Sequence, residues 1–297
     1  MGDGVAIYNL GSINIDHLYQ VDHLPKPGET LASQGYHVGL GGKGANQSIA
    51  AALAGAQVHH IGAVGADGGW CKSRLSDAGV NTDHIATVAT ATGHANICVD
   101  PEGENLIILY SGANADISDA QVKDALRGSG SGDHLLLQNE TTLTYEAAQM
   151  ARAAGVFVIY SAAPFDASRA IAMLPVIDLL AVNEVEAEQL SAALGTAVET
   201  IEVPHLVITR GAKGAIWRDR QTGAEHQAPA FRVDPVDTTG AGDCFIGNVV
   251  AALDQGQDID TALRRASAAA AIQVTREGTS SAMPRSDDVD DFLATRP

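Results

Sequence analysis

The sequence predicts an α/β protein: a central, mostly parallel sheet flanked by helices, with a small β-sheet lid. Three observations predict it. Short apolar runs alternate with helical patterns along most of the chain. Those runs are apolar throughout rather than at every second residue, as in strands covered on both faces. Two segments break the rhythm and read as antiparallel strands around a turn.

Val5–Leu10 opens the sheet as an apolar strand. Ala45–Ala54 is an Ala-rich helix, Val58–Val64 a strand and Trp70–Asp77 a helix. Leu135–Gln138, Val156–Tyr160, Leu179–Val182 and Leu206–Thr209 supply further short strands. Thr144–Ala154 and Glu184–Ala193 are helical patterns among them. The exceptions are Thr30–Val38 and His94–Tyr110, the second pair turning at Pro101-Glu102-Gly103-Glu104-Asn105. No repeat, low-complexity tract or linker divides the chain, which reads as one domain over residues 1–297.

Composition narrows the function classes. The chain is 45% hydrophobic, enough for a sizeable core, but only 4% aromatic, so that core is built from Ala, Val, Ile and Leu. A formal net charge of −18 argues against a nucleic-acid partner, which needs a basic footprint. It does not argue against a nucleotide, whose charge is met locally. There is no apolar run of membrane length. Met1-Gly2-Asp3 leads straight into a strand without a signal pattern, and Ala6 stands where a myristoylation signal needs Ser or Thr. Cys71, Cys98 and Cys244 are scattered and read as reduced thiols of a cytoplasmic protein. No pair of the ten histidines has metal-ligand spacing.

The most informative stretch is Asp237-Thr238-Thr239-Gly240-Ala241-Gly242-Asp243. Two acids flank a small-residue loop, and an apolar helix pattern follows at once with Cys244, Phe245, Val249 and Leu253. Such a loop exposes backbone amides where the helix dipole is also positive, and so suits an anion or negative charge that develops in a reaction. Asp243 stands at the helix mouth beside it. A carboxylate there can cap the helix, or take a proton from a hydroxyl that attacks a phosphoryl group.

Gly39-Leu40-Gly41-Gly42-Lys43-Gly44-Ala45-Asn46 is the second signature. Its formal G-x-G-x-x-G is not a dinucleotide fingerprint. The first strand lies well upstream, and the place for a ribose-binding acid reads Gly62-Ala63-Val64-Gly65. It is not a phosphate loop of the Walker type either, because Gly44 follows Gly42-Lys43 where Ser or Thr is required. The glycines instead allow close backbone approach to a small ligand, with Lys43 and Asn46 as donors to its hydroxyls.

Together with Gly11-Ser12-Ile13-Asn14-Ile15-Asp16 and Pro27-Gly28-Glu29-Thr30, these motifs resemble the sugar kinases of the ribokinase (PfkB) family, in order and spacing over the whole chain. Gly112-Ala113-Asn114, Asn183-Glu184-Val185-Glu186 and Val274-Thr275-Arg276-Glu277-Gly278 fit the same pattern. Within the family the match is nearest to the enzymes that act on ribose. The resemblance implies the ribokinase-like fold, with lid segments near 12–22, 30–40 and 92–110 that also carry a homodimer contact. It implies transfer of the γ-phosphoryl group of ATP to the 5-hydroxyl of D-ribose, with Asp243 as base.

The remaining roles follow from the same resemblance. Thr239, Gly240, Ala241 and Gly242 would form the anion hole. Asn14, Asp16, Gly42, Lys43, Asn46 and Glu140, with Asp243, would hold the sugar. Asn183, Thr209, Arg210, Gly211, Ala212, Lys213, Gly214, Gly242 and Ser267 would meet the nucleotide. Glu186 would organise Mg²⁺ through water. Asp237, Thr239, Gln273, Arg276, Gly278 and Ala282 would ligate a monovalent cation, potassium, largely through backbone carbonyls. Two departures stand out: Ser161-Ala162-Ala163-Pro164 where family members often have Asn-Pro-Ala-Pro, and Ala282 where a serine is frequent. A sibling kinase for 2-deoxyribose, a nucleoside or another small sugar is the nearest alternative. A non-catalytic sugar sensor is a more distant one, and Asp243 argues against it.

Overall fold

The computed structural model describes residues 5–296. The reading of Met1-Gly2-Asp3 lies outside them.

The strands are β1 (Ile7–Leu10), β2 (Asn14–Gln20), β3 (Gly35–Gly41), β4 (Val58–Val64), β5 (Ile85–Thr87), β6 (Gly93–Val99), β7 (Asn105–Tyr110), β8 (His134–Leu137), β9 (Phe157–Ser161), β10 (Leu179–Asn183), β11 (His205–Thr209), β12 (Ala215–Asp219) and β13 (Glu225–Ala228). The helices are α1 (Lys43–Leu53), α2 (Gly69–Asp77), α3 (Asp119–Ala125), α4 (Thr144–Ala153), α5 (Ala167–Met173), α6 (Glu184–Leu194), α7 (Ala241–Asp254), α8 (Ile259–Gln273) and α9 (Ser286–Ala294).

The large sheet runs β13-β12-β11-β10-β9-β8-β1-β4-β5. From β5 to β11 every neighbour is parallel, and the β12–β13 hairpin closes one edge antiparallel. Strand side chains alternate between two cores, which is why the runs are apolar throughout. Leu136, Ile159, Ala181 and Val207 join the core under α1, α7 and α8. Leu135, Leu137, Tyr160, Leu180 and Leu206 join the core under α3 to α6. Among the described residues no helix is long and apolar enough to cross a membrane.

The parallel strands put their carboxyl ends on one side of the sheet. The loops after β1, β8, β9, β10 and β11 therefore open together. β1 sits between β4 and β8, so the order reverses beside it, and such a switch point leaves a crevice for a ligand.

The lid is a separate sheet, β3-β2-β6-β7. β2 pairs antiparallel with β3 and parallel with β6, and β6 turns antiparallel into β7. One lid boundary differs from expectation. The strand expected at Thr30–Val38 starts at Gly35 and continues through Gly41. Gly39 and Gly41, beyond the expected end of that strand at Val38, lie in a strand paired with β2. A Cβ on Gly41 would stand 2.0 to 2.3 Å from the carboxylate atoms of Asp16. Glycine at that position is what gives the Asp16 side chain its room.

Candidate active site

The turn after β1 and the head of α1 are locked together. A Cβ on Gly44 would lie 2.4 Å from backbone atoms of Gly11, and a Cβ on Gly11 would lie 2.5 Å from Gly44 Cα. Neither contact is with a flexible side chain, so neither can give way. Gly42 supplies the positive φ of 91° that turns the chain from β3 into α1. Ser12 completes the joint. Its carbonyl accepts the Ala45 amide (2.8 Å), and its hydroxyl accepts the Gly44 amide (3.2 Å) and donates to Glu140 Oε2. Glu140, just past β8, also accepts the Lys43 amide (3.0 Å).

These bonds leave a defined set of free groups for a polyol. Asn14 Oδ1 accepts from Asn114 Nδ2 (2.7 Å), which leaves the Asn14 amide N–H groups as donors. Asn114 is itself fixed, its Oδ1 accepting the Ile13 amide at 2.9 Å. Asn46 Nδ2 is committed, and its buried Oδ1 has no partner, so Asn46 offers an acceptor. The Asp16 carboxylate accepts no hydrogen bond from the described residues. Burial, and then the nearby Glu140 charge, push its pKa up to about 7. Donors and acceptors in alternation suit vicinal hydroxyls, each of which can give one bond and take others. A cavity of about 180 Å³ adjoins Asn14, lined also by Leu109, Asn114, Glu140, Thr141 and Arg169 among others; Asp16 and Asn46 do not line it.

Asp243 lies in the first turn of α7 and is buried. Its Oδ2 accepts from Asn46 Nδ2 (3.0 Å) and its Oδ1 from Gln47 Nε2 (2.9 Å). Both donors are neutral amides, which orient a carboxylate without carrying a charge of their own. Gln47 is held in turn: Gln138 Nε2 donates to Gln47 Oε1 (2.7 Å) and to Asn9 Oδ1 (3.0 Å). Asn9 Nδ2 donates to Ser48 Oγ (2.8 Å), which meets the buried ring of His60 (2.8 Å). This buried network fixes the carboxylate from behind.

A second cavity, of about 170 Å³, opens in front of Asp243. Lys43, Ser161, Asn183, Glu186, Thr209, Gly240, Ala241 and Gly242 line it with Asp243. A Cβ on Gly242 would meet nothing within 4 Å, so the helix head faces open space. The amides of the first turn of α7 have no carbonyl one turn back in their own helix, and they meet this cavity where the dipole is positive. Lys43 belongs to this second cavity. The Asp243 carboxylate is the main cause of its raised pKa, with Glu140 and Glu186 adding to it. Its ammonium therefore stays charged beside Asp243.

The comparisons with known proteins match this geometry. The model of the pfkB family of carbohydrate kinases matches residues 7–286. The chain belongs to that family. A ribokinase of Haemophilus influenzae is 40% identical over 299 residues, covering 96% of this chain and 97% of the relative. A deoxyribokinase of Salmonella typhimurium is 32% identical over 303 residues, covering 96% and 97%. The structure of Arabidopsis thaliana ribokinase complexed with ribose and ATP superposes with a TM-score of 0.86 at 29% identity, covering 98% of this chain and 99% of that one. The chain is an ATP-dependent carbohydrate kinase with the ribokinase fold.

Within this pfkB site the expected residues do not all fall together. Lys43, expected among the sugar contacts, puts its side chain into the anion cavity; only its backbone amide meets Glu140. Thr239 was expected to lend its amide to the anion hole. That amide is committed to Asp237 Oδ1 (2.9 Å) and the expected Ala241 amide to the Thr238 carbonyl (3.2 Å), so of the expected residues the hole keeps only Gly240 and Gly242. Glu186 caps α6 reciprocally with Asn183, Oε2 taking the Asn183 amide at 2.8 Å. Its Oε1 accepts no bond from the described residues, and Glu186 lines the anion cavity. Arg210, Gly211, Ala212, Lys213 and Gly214 form the turn between β11 and β12, outside both cavities; Lys213 pairs with Glu184 at 3.0 Å. Ser267 is buried in α8 and lines neither cavity. Ser161, the departure from the family pattern, lines the anion cavity and not the polyol one.

Of the expected cation ligands, Gln273 behaves differently from a carbonyl donor. Its own carbonyl accepts the Arg276 amide (3.0 Å), and its side chain, not its backbone, reaches Thr239 and Gly278. Sequence reading gave no role to Gln47 or Gln138, and named Asn114 only as part of the Gly112-Ala113-Asn114 segment. Gln47 stands directly after Asn46, but on a helix neighbouring positions point about 100° apart. Only the closeness of α7 to α1 brings both onto Asp243: a Cβ on Gly247 would sit 2.7 Å from the Gln47 carbonyl.

Proposed function

We propose that the chain transfers the γ-phosphoryl group of ATP to the 5-hydroxyl of D-ribose, giving ribose 5-phosphate and ADP. One observation carries the reading: a buried carboxylate, Asp243, held by two neutral amides at a helix head where it lines the anion cavity. The sugar hydroxyls bind Asp16, Asn14 and Asn46. This places the primary hydroxyl at Asp243, which takes its proton as the oxygen attacks phosphorus. The bond from phosphorus to the β,γ-bridging oxygen breaks, and ADP leaves. Lys43 and the amides of Gly242 and Asp243 stabilise charge on the transferring group. Mg²⁺, when bound near Glu186 through water, neutralises charge on the nucleotide phosphates.

The lid covers the sugar and excludes water as a competing acceptor. We also propose that it pairs with a second copy of the chain. Ile107, Ile108 and Leu109 of the edge strand β7 are 56%, 62% and 47% exposed, a large apolar edge for a soluble protein to leave uncovered. The described cysteines are unpaired, which supports a cytoplasmic setting.

The test is ADP release over a panel of ribose, 2-deoxyribose, hexoses and nucleosides, with the product read by phosphorus and carbon NMR. Ribose is expected to give the highest kcat/KM, with phosphate on carbon 5. A higher kcat/KM for 2-deoxyribose or a nucleoside would replace the substrate. No turnover with any of them would end the kinase reading.

A further inference from the structure

Two loops flank the anion site, residues 237–240 before α7 and residues 276–282 after α8. The family resemblance assigns a monovalent cation to the space between them. The groups in this chain do not fit one. Gln273 ends α8 and is fully buried. Its Nε2 donates to the Thr239 carbonyl (2.7 Å) and to the Gly278 carbonyl (3.2 Å), one oxygen from each loop. Both are among the oxygens expected to face the ion.

Most of the other expected ligands are engaged as well; among the described residues the Arg276 carbonyl accepts no bond, and Gln273 Oε1 is buried without a partner. Asp237 is divided between the loops, Oδ1 accepting the Thr239 amide (2.9 Å) and Oδ2 the Gly278 amide (3.0 Å). The Gln273 carbonyl accepts the Arg276 amide. The Ala282 carbonyl accepts from Arg276 Nη1 at 3.4 Å, and its side chain offers no oxygen. A potassium ion needs oxygens converging on one point to replace its water. Here a donor with two hydrogens stands between two of them.

We infer that the Gln273 side-chain amide does in this chain the work of a monovalent cation: it ties the two loops beside the anion hole, so the enzyme needs no potassium. Carbonyl oxygens from two loops repel at close range unless positive charge lies between them. The partly positive –NH₂ of Gln273 supplies it covalently. Asp237 closes the same joint through the opposite polarity, accepting where Gln273 donates. Gln273 is thus a positioning residue. It touches no substrate, and it acts by holding Thr239 and so the head of α7, where charge develops. The inference rests on the kinase reading only for its rate measurement.

The experiment compares the wild type with Gln273→Ala and Gln273→Glu in potassium, sodium or tetramethylammonium chloride at matched ionic strength. It measures initial rates at saturating Mg-ATP and ribose, and melting temperatures of the same samples. The wild type is expected to show equal rates and equal melting temperatures in all three salts. Gln273→Ala removes the amide and opens the space. Gln273→Glu keeps the shape and turns an oxygen toward the two carbonyls. Both variants are expected to lose ~10-fold or more in kcat in tetramethylammonium, with little change in ribose KM. Potassium should restore the rate and raise the melting temperature, as any ligand of the native state does. A wild type that is faster or more heat-stable in potassium than in tetramethylammonium would overturn the inference, because an ion then binds beside Gln273. Variants as active as the wild type in tetramethylammonium would overturn it equally. If no salt supports sugar phosphorylation by the wild type, the kinase reading fails instead, and the melting temperatures still decide the role of Gln273.

Discussion

On the proposed reading, Asp16 grips sugar hydroxyls best when ionised, since both oxygens of a carboxylate then accept their hydrogens. Its pKa in the folded protein, raised by burial and by Glu140 to about 7, puts that ionisation inside the working range. The kcat/KM for ribose is therefore expected to rise with pH through about 7 and to level off above it. A pH series at low ribose checks this, with Asp16→Asn as control. The variant should show a raised ribose KM and no step near that pH. The sign for stability is opposite. Between the ordinary carboxylate value of 3.8 and about 7 the folded protein binds the extra proton, so Asp16 contributes stability that is lost as pH rises across that window. Asp16 and Asn14 were legible in sequence because they sit where β1 delivers the chain to the crevice. Asn114, which fixes Asn14 from 100 positions away, carries no local signal of that task.

The glycine-rich turn does its work at the scale of the element. Its glycines were legible as close-approach residues, but what they approach was not: it is the chain's own β1 turn. Gly44→Ala would push a Cβ into the Gly11 backbone at 2.4 Å and move the head of α1, and with it Lys43, Asn46 and Gln47. Loss of both ribose KM and kcat is the expected outcome in steady-state assays. Gly69→Ala, in α2, meets nothing within 4 Å and should match the wild type. Gln47→Ala tests the same element more finely. It frees Asp243 Oδ1 and leaves Gln138 Nε2 with one acceptor fewer, so kcat should fall while ribose KM changes little. Rescue by Gln47→Asn is not expected, because the shorter side chain cannot reach. The helix pattern of Ala45–Ala54 was visible in the sequence; the side chains that α1 presents to α7 depend on a packing that no local spacing encodes.

At the scale of the whole molecule, the alternation of apolar strands with helices foretold the parallel sheet, because burial on both faces leaves a mark in every strand. The β12–β13 hairpin at its edge left a weaker mark: Arg218, Asp219 and Glu225 interrupt the apolar run. The lid carries the molecule's exposed apolar edge. On the proposed lid pairing, Ile108→Lys is expected to shift a dimer to monomer in analytical ultracentrifugation and to raise the ribose KM, since an unpaired lid closes less firmly. An unchanged sedimentation coefficient would remove β7 from the interface. All three scales converge on Asp243, reached from the sheet through Gln138, from α1 through Asn46 and Gln47, and from the helix dipole of α7. The most direct test is the turnover of Asp243→Asn set beside its ribose dissociation constant measured by calorimetry. If Asp243 is the base, kcat falls by ~10²–10⁴-fold, while the dissociation constant stays close to that of the wild type. A kcat within tenfold of the wild type would contradict the assignment and leave the anion hole and Lys43 to carry the reaction alone.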